Sequence, residues 1–160
     1  MPCALDSRTR VLIADDEGAV RSVLQDFLSD CFDCVTVDCA ERALSLLREE
    51  QFPVVISDIE MSGMTGLQLV PQVLRWAPDT QVILVSGSQD IEHVIEALRV
   101  GAFDYITKPF DLRELDATMQ RAVEHYDLRT AKRRYEDQLR ELVEQRTAAL
   151  DGALNSLEGA

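Results

Sequence analysis

Short apolar runs alternate, along the first 126 residues, with longer stretches whose apolar residues recur every three or four positions. The runs are rich in Val and Ile and predict buried strands, whereas the longer stretches predict helices with one apolar face. The predicted strands cover residues 11–14, 34–37, 54–58, 82–86 and 103–107, and a helix is predicted after each of them. This alternation predicts an α/β domain whose parallel sheet is covered by helices on both faces.

Three positions set expectations for the ends of these helices. Pro71 falls within the third helical pattern, where its missing N–H disfavours a helix interior, so we expect that helix to begin late or to be distorted. Gly101 predicts the C-cap of the fourth helix. Asp111 is followed three residues later by Glu114, and this spacing predicts a capping box at the start of the fifth helix.

The pattern changes after residue 126. No Pro occurs in residues 127–160 and no Gly before Gly152, so the fifth helix is expected to continue through most of this stretch. Large side chains recur there at intervals of eleven residues, namely Leu128, Leu139 and Leu150, and Tyr135, Arg146 and Leu157. Such a spacing predicts a coiled coil that is locally straight or unwound. We expect it to pair with a second copy in a parallel dimer; the alternative is a frayed, partly disordered tail.

Charge and composition narrow the function classes. The 160 residues carry a formal net charge of −13, which argues against nucleic-acid binding because phosphate contacts need a basic surface. Residues 127–160 contain 7 acidic and 6 basic side chains, so the excess acid belongs to the first 126 residues. No apolar run approaches the roughly 20 residues of a membrane-spanning helix, and the first residues lack the pattern of a signal peptide. The expected location is the cytoplasm.

Four cysteines stand at positions 3, 31, 34 and 39. The spacing of Cys31 and Cys34 would suit a zinc or redox site, but no second pair and no nearby His accompanies them. We therefore expect reduced, structural thiols of a cytosolic protein.

Polar side chains stand where four of the five predicted strands end. Asp15 and Asp16 follow the first strand, Asp58 ends the third, Ser86 ends the fourth and Lys108 follows the fifth. The carboxyl ends of parallel strands share one edge of a sheet, where open α/β folds place their ligands. We therefore expect these five side chains to meet, with Asp58 at the centre.

The residue types in this set indicate a chemistry. Three carboxylates at close range need a counter-charge, and Mg²⁺ supplies one because it prefers oxygen ligands and completes its shell with water or phosphate oxygens. Lys108 adds a fixed positive charge, and Ser86 adds a hydroxyl donor. The set predicts phosphoryl transfer to a carboxylate nucleophile, Asp58. The alternative, in which the acids cap helices and the lysine is solvated, explains each residue singly but not their common edge.

Four segments carry a family resemblance, namely residues 11–17 (VLIADDE), 57–66 (SDIEMSGMTG), 85–87 (VSG) and 101–110 (GAFDYITKPF). In this order they resemble the receiver domain of bacterial two-component response regulators over residues 10 to about 126. The resemblance implies a flavodoxin-like, doubly wound (βα)₅ fold with a parallel sheet of strand order 2-1-3-4-5.

The same resemblance implies roles for the site residues. Asp58 would accept a phosphoryl group from the phosphohistidine of a sensor histidine kinase or a phosphotransfer protein. Mg²⁺ would be held by Asp16, by Asp15 through water, by Asp58 and by the backbone carbonyl of Glu60.

Further positions match the family's phosphoryl-binding and switch residues. Ser86 and Lys108 would bind the phosphoryl oxygens, Tyr105 would be the aromatic switch, and the peptide between Lys108 and Pro109 would be cis. Phosphorylation is then expected to reshape the face formed by the fourth helix, the fifth strand and the fifth helix, and to act through the C-terminal helix.

The sequence departs from the family's pattern at several positions near Asp58. Ser62 replaces the usual Pro, so we expect a looser loop there, and Ser86 replaces the commoner Thr. Glu60 and Ser88 occupy the two variable positions that tune the phosphoryl lifetime in the family.

We divide the chain into a lead (residues 1–9), a receiver domain (residues 10–126) and a helical coiled-coil linker (residues 127–160) to an output module outside this sequence. The chain is expected to signal rather than to act as an enzyme. One alternative is a degenerate receiver that serves as a dimerisation module. Another is a phosphatase of the haloacid dehalogenase type, but that family requires Asp-x-Asp-x-Thr after the first strand. A dinucleotide site is disfavoured because no G-x-G-x-x-G follows the first strand.

Overall fold

A computed structural model of the chain describes residues 8–158. Strands and helices alternate through the described residues. Most of the observed strands contain the whole segment that was predicted as a strand from the sequence. The strands are β1 (Thr9–Ala14), β2 (Phe32–Val37), β3 (Val54–Asp58), β4 (Gln81–Ser86) and β5 (Asp104–Thr107). The helices are α1 (Gly18–Leu28), α2 (Ala40–Glu49), α3 (Gly66–Trp76), α4 (Ile91–Arg99) and α5 (Leu112–Glu158).

The strands form one parallel sheet in the order β2-β1-β3-β4-β5. The predicted flavodoxin-like α/β fold is therefore confirmed. Strands β3 and β4 are buried along their whole length because both lie inside the sheet and helices cover both of its faces. This position explains why their sequences are almost continuously apolar.

The core consists of two hydrophobic clusters that take alternate residues of the strands. Leu12 and Val55 pack in the cluster that includes α2 and α3, whereas Ile13 and Ile56 pack in the cluster that includes α1 and the first turns of α5. Successive side chains of a strand point to opposite faces of a sheet, which separates the two clusters. The sheet is thus packed on both faces, and its carboxyl edge is positioned by the two clusters together.

Helix α3 contradicts one part of the expectation attached to Pro71, namely the late start. The helix begins at Gly66 and continues through Pro71 to Trp76. A capping box fixes its start, because the Thr65 hydroxyl accepts the N–H of Gln68 and the Gln68 side chain accepts the N–H of Thr65. This cap holds the first turn firmly, so the helix begins early despite the N–H that Pro71 lacks.

The predicted helix ends at Gly101 and Asp111 have clear structural causes. Gly101 follows α4 with a φ of 106°, and a Cβ there would lie 2.7 Å from Cδ1 of Leu74. The positive φ therefore favours glycine, and a larger residue would also have to displace the end of the Leu74 side chain. The Asp111 carboxylate accepts the N–H of Arg113 at 2.8 Å, as an N-cap does.

The chain divides into two units, residues 1–126 and residues 127–160. Helix α5 continues to Glu158, so the predicted long helix is confirmed and the alternative of a frayed tail is wrong over the described residues. All side chains from residue 131 to residue 158 are exposed. The large apolar ones in the second unit are Leu128, Tyr135, Leu139, Leu142, Val143, Leu150, Leu154 and Leu157. Pairing of this helix with a second copy stays a prediction.

The cysteine prediction needs correction. Cys34 and Cys39 are free, half-buried thiols, and burial raises the pKa of Cys34. Cys31 is disulfide-bonded, so the expectation of reduced thiols is wrong at this position. Cys3 lies outside the described residues.

None of the helices between residues 8 and 158 combines the length and the hydrophobicity needed to cross a bilayer.

Candidate functional site

The sheet topology brings the ends of four strands to one edge. Parallel register places Ala14 opposite Ser57, Asp58 opposite Val85 and Ser86 opposite Thr107. The residues that follow or end these strands therefore share this edge, as the sequence predicted.

Lys108 connects the two buried carboxylates of the site. Its ammonium nitrogen lies 3.1 Å from Oδ2 of Asp58 and 3.2 Å from Oδ2 of Asp15. Asp15 and Asp58 are only 1% and 4% exposed. One lysine thus compensates two desolvated carboxylates, and charge-assisted hydrogen bonds of this kind are about twice as strong as neutral ones.

The protonation of this triad follows from its burial. Burial raises the pKa of Asp58, and the charge of Asp15 raises it further, while the hydrogen bond from Lys108 opposes both effects. Burial alone would lower the pKa of Lys108, but its hydrogen bonds to Asp58 and Asp15, together with their negative charges, outweigh burial and raise it. Both carboxylates thus favour the charged form of Lys108, and an additional positive charge beside Asp58 would favour its ionised form.

Two further acids extend the cluster towards solvent. Carboxylate oxygens of Asp15, Asp16, Glu17 and Asp58 lie within 4.8 Å of one another. Asp16 and Glu17 are exposed, so the cluster has a buried half and an open half. This all-oxygen donor set, with an open side for water, fits a hard divalent cation such as Mg²⁺.

Glu17 was missed as a site residue in the sequence analysis. Its position directly after Asp15 and Asp16 was the available signal, but an acid at that position also suits the start of a helix. Glu17 is the N-cap residue of α1, and its N–H donates to Oδ1 of Asp15 at 2.9 Å. The cap position turns Glu17 back towards the acidic cluster.

The loop after β3 is held close to Asp58. The N–H of Glu60 donates to Oδ1 of Asp58 at 3.2 Å, and the N–H of Gly66 donates to the carbonyl of Ile59 at 3.0 Å. A Cβ on Gly66 would lie 2.3 Å from the carbonyl oxygen of Asp58, so only glycine permits this approach. The side chain of Glu60 is exposed.

Glu41 fixes the same loop from helix α2. Its carboxylate accepts the N–H of Met64 at 3.0 Å, and this hydrogen bond lowers the pKa of Glu41. A Cβ on Gly63, which has a φ of 84°, would lie 2.9 Å from the Glu41 carboxylate. The loop is therefore held in place although Ser62 occupies the position of the usual Pro. The sequence analysis did not anticipate the hydrogen bond between Glu41 and Met64.

The predicted switch residues meet at the loop between β4 and α4. Ser86 is buried, and its hydroxyl accepts the N–H of Ser88 at 3.1 Å. Tyr105 is also buried, and its hydroxyl donates to the carbonyl of Ser88 at 2.7 Å. Both side chains thus contact one loop residue rather than each other. The peptide between Lys108 and Pro109 is cis.

A family model supports the same interpretation. The model described as "Response regulator receiver domain" matches residues 11–120. The DNA-binding transcriptional regulator NtrC of Salmonella typhimurium is 36% identical over 117 residues, which are 72% of this chain and 25% of that protein. The response regulator protein FleR of Pseudomonas aeruginosa is 40% identical over 107 residues, which are 66% of this chain and 23% of that protein. The chain spans about a quarter of the length of these relatives.

Solved structures agree with the fold. The signal receiver domain of an HD domain-containing protein from Pseudomonas fluorescens matches with a TM-score of 0.72 and 28% identity, over 76% of this chain and 98% of that chain. A CheY-like response regulator receiver domain protein from Methanospirillum hungatei matches with a TM-score of 0.73 and 25% identity, over 77% of this chain and 99% of that chain.

Proposed function

The chain belongs to the receiver domain family of response regulators, and on that basis we propose that Asp58 accepts a phosphoryl group from a phosphohistidine of a sensor histidine kinase or a phosphotransfer protein. The observation that carries the proposal is the position of Lys108, which contacts Asp58 and Asp15 at the carboxyl edge of the sheet. A cation that lies beside the nucleophile is in position to neutralise charge on an incoming phosphoryl oxygen.

In the proposed reaction a carboxylate oxygen of Asp58 attacks phosphorus. The new O–P bond forms as the P–N bond of the phosphohistidine breaks, and the imidazole nitrogen keeps the electron pair and later takes up a proton. Lys108 shifts from the Asp58 carboxylate to a phosphoryl oxygen, and the Ser86 hydroxyl leaves the Ser88 N–H to donate to another. The buried setting strengthens both contacts because water does not compete with them.

The acidic cluster would hold Mg²⁺ next to the nucleophile. Asp16, Asp58, the backbone carbonyl of Glu60 and, through water, Asp15 are the proposed ligands. Glu17 lies close enough to contribute an oxygen. Bound Mg²⁺ would neutralise the carboxylates and polarise the phosphoryl oxygens.

Acetyl phosphate, a small phosphodonor, offers a direct test. Purified protein is incubated with acetyl phosphate and Mg²⁺, and its intact mass is measured. We expect one added phosphoryl group on the native chain, none on Asp58→Asn and none in EDTA. Equal phosphorylation of the native chain and Asp58→Asn would contradict the role of Asp58. Turnover of a phosphomonoester would favour the haloacid dehalogenase alternative instead, and we expect none.

We further propose that residues 10–126 act as the receiver and residues 127–160 as a coiled-coil linker that pairs two copies in a parallel dimer. The support is the number of large apolar side chains that are exposed along one continuous helix. A single helix cannot bury these side chains by itself. The chain itself would then have no enzyme activity, and an output module elsewhere in the full protein would carry the response. Family membership favours the cytoplasm, without contact to nucleic acid or membrane by this part.

The linker sequence allows two registers of pairing. One stripe contains Leu128, Tyr135, Leu139, Leu142, Arg146, Ala149 and Ala153, and the other contains Leu139, Val143, Arg146, Leu150, Ala153 and Leu157. The stripes share three residues and otherwise differ by a shift of one position, as between Leu142 and Val143. We propose that phosphorylation shifts the balance between these registers through the face formed by α4, β5 and α5.

Disulfide trapping tests this shift. Leu142→Cys and Val143→Cys each place a thiol in only one of the two registers. We expect the ratio of cross-linked dimer between the two variants to change when beryllofluoride, a phosphoryl mimic, is added with Mg²⁺. An unchanged ratio would contradict the register shift, and equally weak cross-linking of both variants and of Glu144→Cys would contradict the parallel dimer.

A further inference from the structure

Helix α4 is weakly anchored to the rest of the domain. Ala97 is its only fully buried residue. Ile91, Ile95 and Leu98 are 71%, 50% and 52% exposed, and Val94 is partly buried against the core. An element that buries so little apolar surface depends more on the hydrogen bonds at its ends than a core helix does.

Those hydrogen bonds converge on Ser88. The Ser88 N–H donates to the Ser86 hydroxyl, and the Ser88 carbonyl accepts from the Tyr105 hydroxyl. The Ser88 hydroxyl accepts the N–H of Asp90 at 3.2 Å, and Asp90 in turn caps α4 by accepting the N–H of Glu92 at 3.1 Å. Ser88 therefore links the end of β4 to the beginning of α4.

His93 supplies the one side-chain contact from the body of α4 to this loop residue among the described bonds. Its Nδ1 lies 3.1 Å from the Ser88 hydroxyl, and the ring is half-buried. The neighbouring loop position, Gly87, has open space around it, so packing on that side does not hold the loop. The Ser88–His93 hydrogen bond is thus a direct connection between the loop and the first turn of the helix.

We propose that His93 is a positioning residue that couples Ser86 to the orientation of helix α4. The proposal rests on the proposed function, because the signal begins when the Ser86 hydroxyl turns to a phosphoryl oxygen and releases the Ser88 N–H. Ser88 then moves, and its bond to His93 makes α4 follow. Without that bond the loop rearranges, but the equilibrium between the orientations of α4 does not change.

This role differs from that of a merely structural histidine. A structural role would alter the stability of α4 in both states equally. A coupling role alters the difference between the two states, since the hydrogen bond transmits a displacement that starts at the phosphoryl site.

Hydrogen exchange with and without beryllofluoride and Mg²⁺ measures that difference. Loss of one such hydrogen bond changes a local opening equilibrium about fivefold. In the native chain we expect beryllofluoride to change amide exchange in both segments, residues 87–90 and 91–99. In His93→Ala we expect the change in residues 87–90 to persist and the change in residues 91–99 to fall by more than half. His93→Asn, whose amide can occupy the place of Nδ1, should restore much of it.

His125→Ala is the matched control. His125 lies on α5, where its ring contacts Phe103 at a centroid distance of 5.5 Å. This variant should respond to beryllofluoride as the native chain does. An α4 response in His93→Ala equal to the native one would overturn the coupling, as would a native chain that responds only in residues 87–90.

The two proposals fail in different ways. If the native chain takes no phosphoryl group from acetyl phosphate and does not respond to beryllofluoride, the proposed function is wrong and the coupling is wrong with it. If the native chain is phosphorylated and the His93→Ala and native responses coincide, only the coupling is wrong.

Discussion

The ammonium of Lys108 lies 3.1 Å from the carboxylate of Asp58, although the two residues are 50 positions apart in the chain. The parallel sheet brings them together by aligning the ends of β3, β4 and β5. In the metal-free protein this lysine is the counter-charge that keeps the nucleophile ionised against burial. The contact between Lys108 and Asp58 therefore affects both the stability of the fold and the proposed phosphoryl transfer. Substitutions can separate these two effects.

Asp58→Asn is expected to stabilise the metal-free protein at neutral pH. The substitution removes a buried charge that Asp15 repels, and Lys108 keeps Asp15 as its partner. The gain follows from the raised pKa of Asp58, because burial and the charge of Asp15 disfavour its ionised form. Urea unfolding in EDTA measures it. A loss of stability would show that the Lys108–Asp58 hydrogen bond outweighs burial.

The contribution of Asp58 to the stability of the native chain should decrease with rising pH in the acidic range in EDTA. The pKa of Asp58 is higher in the folded state than in the unfolded state. The folded state therefore binds more protons between these two values, and stability is lost as pH rises through the folded pKa. Comparing native and Asp58→Asn unfolding curves across this range isolates the effect, because other carboxyls contribute equally to both. Parallel curves for the two proteins would count against it.

Lys108→Met is expected to destabilise the metal-free protein by roughly 1–3 kcal/mol, the cost of leaving a buried hydrogen-bonding group without its partner. Asp15 and Asp58 would then face each other without a cation, and the repulsion between their buried charges would be uncompensated. Mg²⁺ should recover much of the loss, since it replaces the missing charge. Thermal unfolding with Mg²⁺ and with EDTA checks this. Equal destabilisation under both conditions would indicate that the methionine disturbs packing instead.

Glu41→Ala is expected to weaken Mg²⁺ binding, because the Glu41 carboxylate holds the loop that contains Glu60. Glu41→Gln keeps an acceptor oxygen for the N–H of Met64 and should bind Mg²⁺ nearly as the native chain does. Calorimetric titration with Mg²⁺ compares the three proteins. If the glutamine variant were as weak as the alanine variant, the charge of Glu41 rather than its hydrogen bond would be responsible.

Arg146→Leu is expected to strengthen the proposed dimer at least about tenfold, because Arg146 lies in both stripes of the linker and a charge at a core position of a coiled coil reduces its stability. Arg134→Leu makes the same chemical change outside both stripes and should leave the dissociation constant close to native. Sedimentation equilibrium gives the constants. Similar strengthening by both variants would indicate nonspecific hydrophobic association rather than pairing through a defined stripe of residues.

The sheet and the members of the site that follow strands were predictable from the sequence. Asp58, Ser86 and Lys108 stand next to unambiguous apolar runs, and the rules for parallel sheets bring such ends together. The late start expected from Pro71 was wrong, because a local rule about helix interiors competes with the capping box at Thr65. The capping box is also a local signal. Sequence alone does not show whether the stabilisation from this cap exceeds the destabilisation from Pro71, because the outcome also depends on how the helix packs.

Contacts between elements could not be predicted from the sequence. Glu41 lies on α2 and Met64 follows β3, so nothing in their spacing indicates the hydrogen bond that joins them. The same holds for Tyr105 and the carbonyl of Ser88, which are 17 positions apart. Such contacts depend on loop conformations, which residue types constrain only weakly.

Localising the phosphoryl group gives the most direct test of the central claim. Protein phosphorylated with acetyl phosphate and Mg²⁺ is treated with borohydride, which reduces an aspartyl phosphate to homoserine, and the peptides are sequenced by tandem mass spectrometry. The proposed function predicts homoserine at position 58 alone. Homoserine at position 15 or 16, or none in a sample whose intact mass shows a phosphoryl group, would contradict the assignment of Asp58 as the phosphoacceptor.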